Sequence, residues 1–283
     1  LPDINTDEYD VVFFIRIPTL WWPRWNYTIP SIVDIDDVMH LGLEENVATC
    51  NGVVRKIIAY WHYCVVKNAE LRSLRHASTG FVCSEHDRNS IDLNNIHVLP
   101  NIVPDRGQFD RQIPIPGFKT ILFVGALVYK PNREGLEYFI EQIFPLIREY
   151  DSEVTLRIVG RSLPEHQTKW SNLPNIEFLG TVDDIDPIIE SSGISICPLL
   201  FGLGTRIKIL EALSFGKPVV STTIGAHGIS IFEDSGLFRA DTPELFASTC
   251  IKLLCDKKLL EEIYPKARSS VIDNFSQNYV DAV

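Results

Sequence analysis

From Thr120 onward the chain alternates apolar strand-like runs with amphipathic segments of helical period, and this constrains its fold more than any other feature. "TILFVGAL" (120–127) has the character of a buried strand. A turn, "VYKPN", follows, and then "REGLEYFIEQIFPLIREY" (133–150), whose Leu136, Phe139, Ile140, Ile143 and Ile147 recur on one helical face. "VTLRIVG" (154–160), "IEFLG" (176–180) and "ISICPLL" (194–200) are further strands, with a short helix expected over 183–192. A glycine-containing loop, a helix from near Thr205 to Gly216 and a strand opening at "KPVVS" complete the series, and helices fill most of 243–283. Such alternation predicts a doubly wound parallel sheet.

The pattern before Pro100 is shorter. Strands are expected over 9–17, 31–37, 80–85 and 95–101, with one or two helices over 44–76. The proline-rich "NIVPDRGQFDRQIPIPG" (101–117) lacks periodicity and large apolar residues, as a linker does. The expected organisation is a partial first unit over 1–103, a linker over 104–117 and a second unit over 118–283. At 45% hydrophobic and 22% charged residues the chain is of ordinary globular composition, and a net charge of −11 argues against a general nucleic-acid binder. Any phosphate site must therefore be a local pocket. None of the six cysteines forms a CxxC pair or a zinc-type spacing, which suggests reduced thiols and a cytosolic setting. No apolar run is long enough to span a bilayer as a helix.

The stretch "FGLGTRIKILEALSFGKPVVS" (201–221) poses a physical problem. Arg206 and Lys208 stand at a helix start, where the macrodipole disfavours cations. A bound polyanion resolves the conflict. In an open parallel sheet ligands sit beyond the carboxyl ends of the strands, and this loop follows the strand over 194–200. Gly202 and Gly204 let backbone N–H groups approach closely, the helix start adds free N–H donors, and the set suits a diphosphate. Glu211 shares a helix face with Lys208 and could accept hydrogen bonds from a sugar diol. The plainer alternative is a surface helix with a Lys208–Glu211 ion pair and Arg206 in solvent.

Other candidates stand outside this stretch. "VDIDD" puts Asp34, Asp36 and Asp37 at a strand end, readable as a metal site or as an Asx-type turn. Ser84 in "SEH" is either a cleft residue or a helix N-cap, and His227 follows the last strand of the site. "LWWPRWNY" (20–27) suits a membrane interface, an acceptor sugar or a hydrophobic plug.

Four segments together carry a family resemblance: "VCSEHD…NNIHVLPNIV", "ILFVGALVYKPNREGLEYFIEQIFPLI", "IEFLGTVDDI" and "GLGTRIKILEALSFGKPVVST". They resemble, in order, segments of the retaining nucleotide-sugar glycosyltransferases of family 4. The resemblance implies the α/β GT-B fold, two Rossmann-like doubly wound domains facing a cleft, here with the first incomplete at its N-terminal side. It implies that the first unit serves the acceptor and the second the donor. Arg206 and Lys208 would stabilise the diphosphate during bond cleavage and Asp36 would meet sugar or acceptor hydroxyls, these three being the catalytic candidates. Gly125, Lys130, Asn132, Leu203, Gly204 and Thr205 would surround the donor phosphates, Thr181 and Val182 the base, and Glu211 the ribose. No metal or cofactor is implied. The substrates would be a nucleotide-sugar, UDP-sugar favoured over GDP-sugar, and a glycan or lipid-linked acceptor, met in the cytoplasm at the inner membrane face. The chain departs from the family pattern in having Leu203 at the first glutamate of the donor motif and Ala126 where many members have arginine. Those departures keep open a catalytically inactive nucleotide-sugar-binding subunit. A third reading is another GT-B enzyme such as a nucleotide-sugar epimerase.

Overall fold

The computed structural model describes residues 9–21, 29–104, 118–202 and 204–276. Most of the 104–117 linker, the "LWWPRWNY" aromatics beyond Trp21, and Leu203 lie outside the described residues. The chain divides into two compact units, residues 1–101 with 203–205, and residues 102–202 with 206–283.

The first unit is a four-stranded parallel sheet in the order β1 (Val12–Ile15), β2 (Ser31–Ile35), β3 (Thr79–Val82), β4 (Ile96–Val98). Helices α1 (Met39–Thr49) and α2 (Val53–His76) connect β2 to β3, and α3 (Glu85–Ile91) connects β3 to β4. The helical region expected over 44–76 starts earlier and breaks at Gly52, whose φ of +94° suits glycine. Phe14, Val33, Ile35, Leu74, Val82 and Ile96 form the core. No side chain of α1's own N-cap residue satisfies its first amides. Glu70 of α2 takes that role, accepting the Met39 and His40 backbone N–H groups at 2.9 and 3.0 Å. The same carboxylate meets the His40 ring at 2.7 Å, and both side chains are buried. Ser84 caps α3 by accepting the Asp87 amide, as a polar helix start requires.

The second unit holds six parallel strands in the order β10-β9-β8-β5-β6-β7. In chain order these are β5 (Thr120–Val124), β6 (Thr155–Val159), β7 (Ile176–Gly180), β8 (Ile194–Cys197), β9 (Val219–Ser221) and β10 (Leu237–Arg239). The strand order reverses between β5 and β8, which is the switch point where a doubly wound sheet opens a crevice. Helices α4 (Lys130–Tyr138) and α5 (Phe144–Tyr150) follow β5, α6 (Pro164–Ser171) follows β6, and α7 (Asp186–Glu190) follows β7. Helix α8 (Ile207–Ser214) follows β8, and α9 (Pro243–Cys255) and α10 (Lys257–Phe275) close the chain.

Both faces of the sheet are buried. Ile121 and Phe123 of β5 join one core with Ile158 and Ile196, while Leu122 joins Val159, Ile189 and Phe215 on the other. That is why these strands read as continuous apolar runs rather than alternating ones. The expected helix over 133–150 is helical throughout but contains a π segment, Phe139–Ile143, in which the Phe144 amide reaches back to Phe139 O. Pro145 supplies the reason, since it has no N–H to donate and crowds the preceding turn. Leu136, Phe139, Ile143 and Ile147 are fully buried, and Ile140 is partly buried against the same core.

One buried cation lies away from the switch point. Lys217, 2% exposed, donates to the Glu190 carbonyl at 2.9 Å near the end of α7 and lies over the Tyr264 ring. Burial pushes its ammonium down from 10.5 to about 8. Between about 8 and 10.5 the unfolded chain holds this proton and the folded chain does not, so stability rises with pH across that window. Below about 8 both states are protonated and the full desolvation cost, roughly 3 kcal/mol, is present. Denaturant titrations at pH 7.5 and ~10 should show this rise in the wild type and a flatter profile in Lys217→Met. Parallel profiles would exclude the assignment.

Candidate functional site

The loops after β5 and β8 flank the switch point, and they carry the residues singled out in the sequence. Three neighbouring strands reach an apolar residue and then glycine at their carboxyl ends: Val124-Gly125 and Val159-Gly160 just past β5 and β6, and Leu179-Gly180 as the last pair of β7. The Gly125 amide bonds Val159 O at 2.9 Å and the Gly160 amide bonds Gly180 O at 2.7 Å, so the ladder continues past the strand ends. Gly160 has φ +149°, and a Cβ there would collide with the Gly125 carbonyl. Gly135 has a different task. A Cβ there would stand 2.7 Å from Pro198 O, so the glycine lets α4 lie close against the segment after β8.

Helix α8 begins at Ile207, two residues after the Thr205 start that the sequence suggested. Arg206 is its N-cap, in extended conformation, and Lys208 is its second residue. Arg206 is buried, 9% exposed, and its Nη2 lies 2.7 Å from where a Cβ of Gly202 would be. Gly202, at φ +124°, thus makes room for a guanidinium as well as freeing the loop backbone. Lys208 does not extend into solvent. Its Nζ donates to Asn132 Oδ1 at 2.7 Å, lies 4.9 Å from the centre of the Phe123 ring and is 2.8 Å from the Cβ position of Gly125. Asn132, buried in the first turn of α4, uses its other end to donate to Ala126 O at 3.1 Å. Gly125, Asn132, Arg206 and Lys208 are therefore drawn together by β5, α4 and α8.

This is a costly arrangement without an anion. Burial holds the Lys208 ammonium below its ordinary range and the Arg206 charge pushes the same way; Cys197 and Glu211 oppose them. Glu211 stands one turn further along α8 and is half-buried. Cys197, at the end of β8, is fully buried; desolvation raises its thiol and the two cations pull it back. Thr205 Oγ1 is buried and makes no hydrogen bond among the described residues. Gly204 has φ +76°, and it and Thr205 group with the first unit.

The other candidates are placed as follows. Lys130 pairs with Glu134 at 3.4 Å and lies over the Phe201 ring. Thr181 is exposed just beyond β7, at the carboxyl edge shared by all six strands, while Val182 packs its side chain into the second core cluster. His227 is half-buried in the loop after β9. Asp36 belongs to the first unit, beyond β2, where it pairs with Arg16 at 3.0 Å on an exposed surface. Asp34, Asp36, Asp37 and Asp87 join desolvation in raising the Cys83 thiol to about 12. Among the described residues no group of three or more histidines, cysteines or acids could hold a metal ion. Sequence reasoning missed Phe123, Gly135 and Gly160. The repeated strand-end glycines were a signal for the last of these, and nothing in the sequence marked Phe123 as the floor under Lys208.

Two cations at a helix start, Arg206 buried and Lys208 half-buried, lie near glycine-ended strands at the switch point of a doubly wound α/β sheet, a set of groups that could hold an anion. Residues 118–256 match the family model described as glycosyl transferases group 1. An uncharacterized 44.6 kDa protein in the cps region of Klebsiella pneumoniae is 27% identical over 169 residues, 57% of this chain and 44% of that protein. Among solved structures, a TarM variant of S. aureus in complex with fondaparinux, alpha-GlcNAc-glycerol and UDP superposes with a TM-score of 0.72 at 16% identity, covering 95% of this chain and 54% of that one. HepE of Anabaena in complex with UDP gives 0.70 at 15% identity, over 98% and 78% of the two chains. WaaG, a glycosyltransferase involved in lipopolysaccharide biosynthesis, gives 0.68 at 16% identity, over 98% and 79%. The α/β fold with parallel sheets is that of GT-B glycosyltransferases, as the sequence led us to expect. The chain spans about half the length of the first of these relatives.

Proposed function

We propose that this chain transfers a sugar from a nucleoside-diphosphate donor to an acceptor hydroxyl with retention of configuration, as a family 4 enzyme. The observation that carries the reading is the seating of Lys208 and Arg206 against Gly125 and Gly202 at the switch point. The bond between the anomeric carbon and the β-phosphate oxygen breaks and its electron pair stays on that oxygen. The acceptor oxygen bonds to the anomeric carbon from the same face, and its proton passes to the departing phosphate. Arg206, Lys208 and the amides opening α8 stabilise the charge as it grows, preorganised and shielded from water. These cations fill the role a divalent metal has in other transferases, so the proposed reaction uses none. Glu211 accepts from the donor ribose, the backbone at Thr181 and Val182 meets the base, and Asp36 meets sugar or acceptor hydroxyls. UDP is the favoured nucleotide, a reading supported by the UDP complexes of the TarM variant and HepE. The acceptor is a glycan or lipid-linked glycan in polysaccharide assembly, and the site of action is the cytoplasm at the inner membrane face. Among the described residues no helix is long and apolar enough to cross a membrane.

Calorimetric titration with UDP, GDP, ADP and dTDP is the test. UDP should bind most tightly. A chain that bound none of the four would sink the proposal, and one that bound UDP yet neither transferred nor slowly hydrolysed a UDP-sugar would be the inactive binding subunit instead.

A further inference from the structure

Leu203 stands where the donor motif that this chain resembles has its first glutamate, and residues 198–206 contain no aspartate or glutamate at all. The structure brings a carboxylate to this loop from another element. Asp37 Oδ1 lies 2.5 Å from where a Cβ of Gly204 would stand, and the Asp36 carbonyl oxygen lies 3.5 Å from the same point. Gly204 and Thr205 group with the first unit, so the contact lies inside that unit. With φ +76°, Gly204 disfavours a side chain twice, through its backbone and through this carboxylate. Thr205, next along, has a buried Oγ1 that makes no hydrogen bond among the described residues.

Asp37 is held in this place from both sides. It stands in the turn between Ile35, the end of β2, and Met39, the start of α1. Its neighbour Val38 is buried. The α1 end is fixed by Glu70, which accepts the Met39 and His40 amides and meets the His40 ring, both side chains being 1% exposed. A carboxylate pinned in this way gives up little freedom when it binds. Asp36 is turned elsewhere: it pairs with Arg16 at 3.0 Å, with about half of its side chain exposed. At a phosphate loop a carboxylate repels the phosphates and accepts hydrogen bonds from neutral hydroxyls. In a nucleotide-sugar the hydroxyls next to the β-phosphate are those of the sugar it carries.

We propose that Asp37 supplies the carboxylate that the donor motif lacks at Leu203 and determines which sugar is accepted, taking hydrogen bonds from the hydroxyls of the transferred sugar while Gly204 and Thr205 meet the phosphates. This rests on the donor reading proposed above and narrows it: the transferred sugar falls to Asp37 and the acceptor to Asp36.

The test is calorimetric titration of the wild type, Asp37→Asn, Leu203→Glu and the double variant with UDP, UDP-glucose and UDP-N-acetylglucosamine. The wild type should bind UDP and at least one of the sugar nucleotides. Asp37→Asn should weaken the tighter sugar nucleotide about tenfold or more. UDP should bind this variant as it binds the wild type, or more tightly, because a negative charge has left the phosphate loop. Thermal melts of the two should coincide. Adding Leu203→Glu to Asp37→Asn should restore much of the lost affinity, since a carboxylate returns to the same loop from the motif position. Leu203→Glu alone sets two carboxylates at one place and should weaken UDP. Equal losses of UDP and sugar nucleotide in Asp37→Asn would overturn the sugar assignment, as would an unchanged affinity for the sugar nucleotide. Wild-type binding of all three ligands by Leu203→Glu alone would overturn it even if Asp37→Asn failed to fold. A wild type that bound UDP but neither sugar nucleotide would overturn this inference and spare the nucleotide reading; one that bound none of the three would remove both.

Discussion

Replacing Lys208 by methionine should lower UDP affinity by about a hundredfold and leave the melting temperature unchanged or higher. Methionine fills the space over Phe123, so the floor of the site stays packed. The fold also sheds the cost of a desolvated cation, whose depressed ammonium marks it as a strained group in the absence of an anion. What is lost is the charge nearest Gly125. The same reasoning fixes the pH dependence. Because burial lowers the Lys208 ammonium, UDP affinity should weaken on the alkaline side sooner than an ordinary lysine would allow. Asn132→Ala should weaken binding less, by about tenfold, since it removes the 2.7 Å hydrogen bond that aims the ammonium but not the ammonium itself. Unchanged UDP affinity in Lys208→Met, measured by calorimetry beside a thermal melt, would remove the anion site.

Gly160→Ala should destabilise the second unit by roughly 3 kcal/mol, a fall of about 6–12 °C in its melting temperature. Its φ of +149° is strained for any residue with a side chain, and the added methyl would meet backbone, the Gly125 carbonyl, rather than a side chain that could rotate aside. The repair requires β5 and β6 to part at their carboxyl ends, which loosens the ladder from Val159 to Gly125. Since Gly125 borders Lys208 and Asn132, UDP binding should weaken with the stability. A melting temperature within ~2 °C of wild type would show that the strand ends can spread without cost.

How much of this was legible in the chain differs by element. The strands β5, β6 and β8 were readable because parallel strands covered on both faces are unbroken apolar runs, as in "TILFV" and "ISIC". Their ends were read too long: the apolar residues after Val124 and Cys197 belong to loops that are themselves buried, Leu127 and Leu199 among them. The π segment was hidden although Pro145 was visible, because an apolar period survives one wide turn. Helix α1 was read too short because its N-terminus is capped by Glu70, a residue 31 positions from Met39, and no local signal announces such a cap.

The functional stretch divides in the same way. Local chemistry alone marked Arg206 and Lys208, because two cations at a helix start oppose the macrodipole wherever the helix lies. Which groups face them is a matter of strand order. Placing β8 beside β5 brings α8 against the loop and helix that follow β5, 76 residues from Lys208 to Asn132 along the chain, and it lays Lys208 over Phe123. Residue types and their spacing thus determined the class of fold and marked the two cations on which the proposed anion site rests. The partners of that charge, its desolvation, and the need for Gly125, Gly160 and Gly202 came only from tertiary structure, because close approach of distant backbone leaves no periodic trace in sequence.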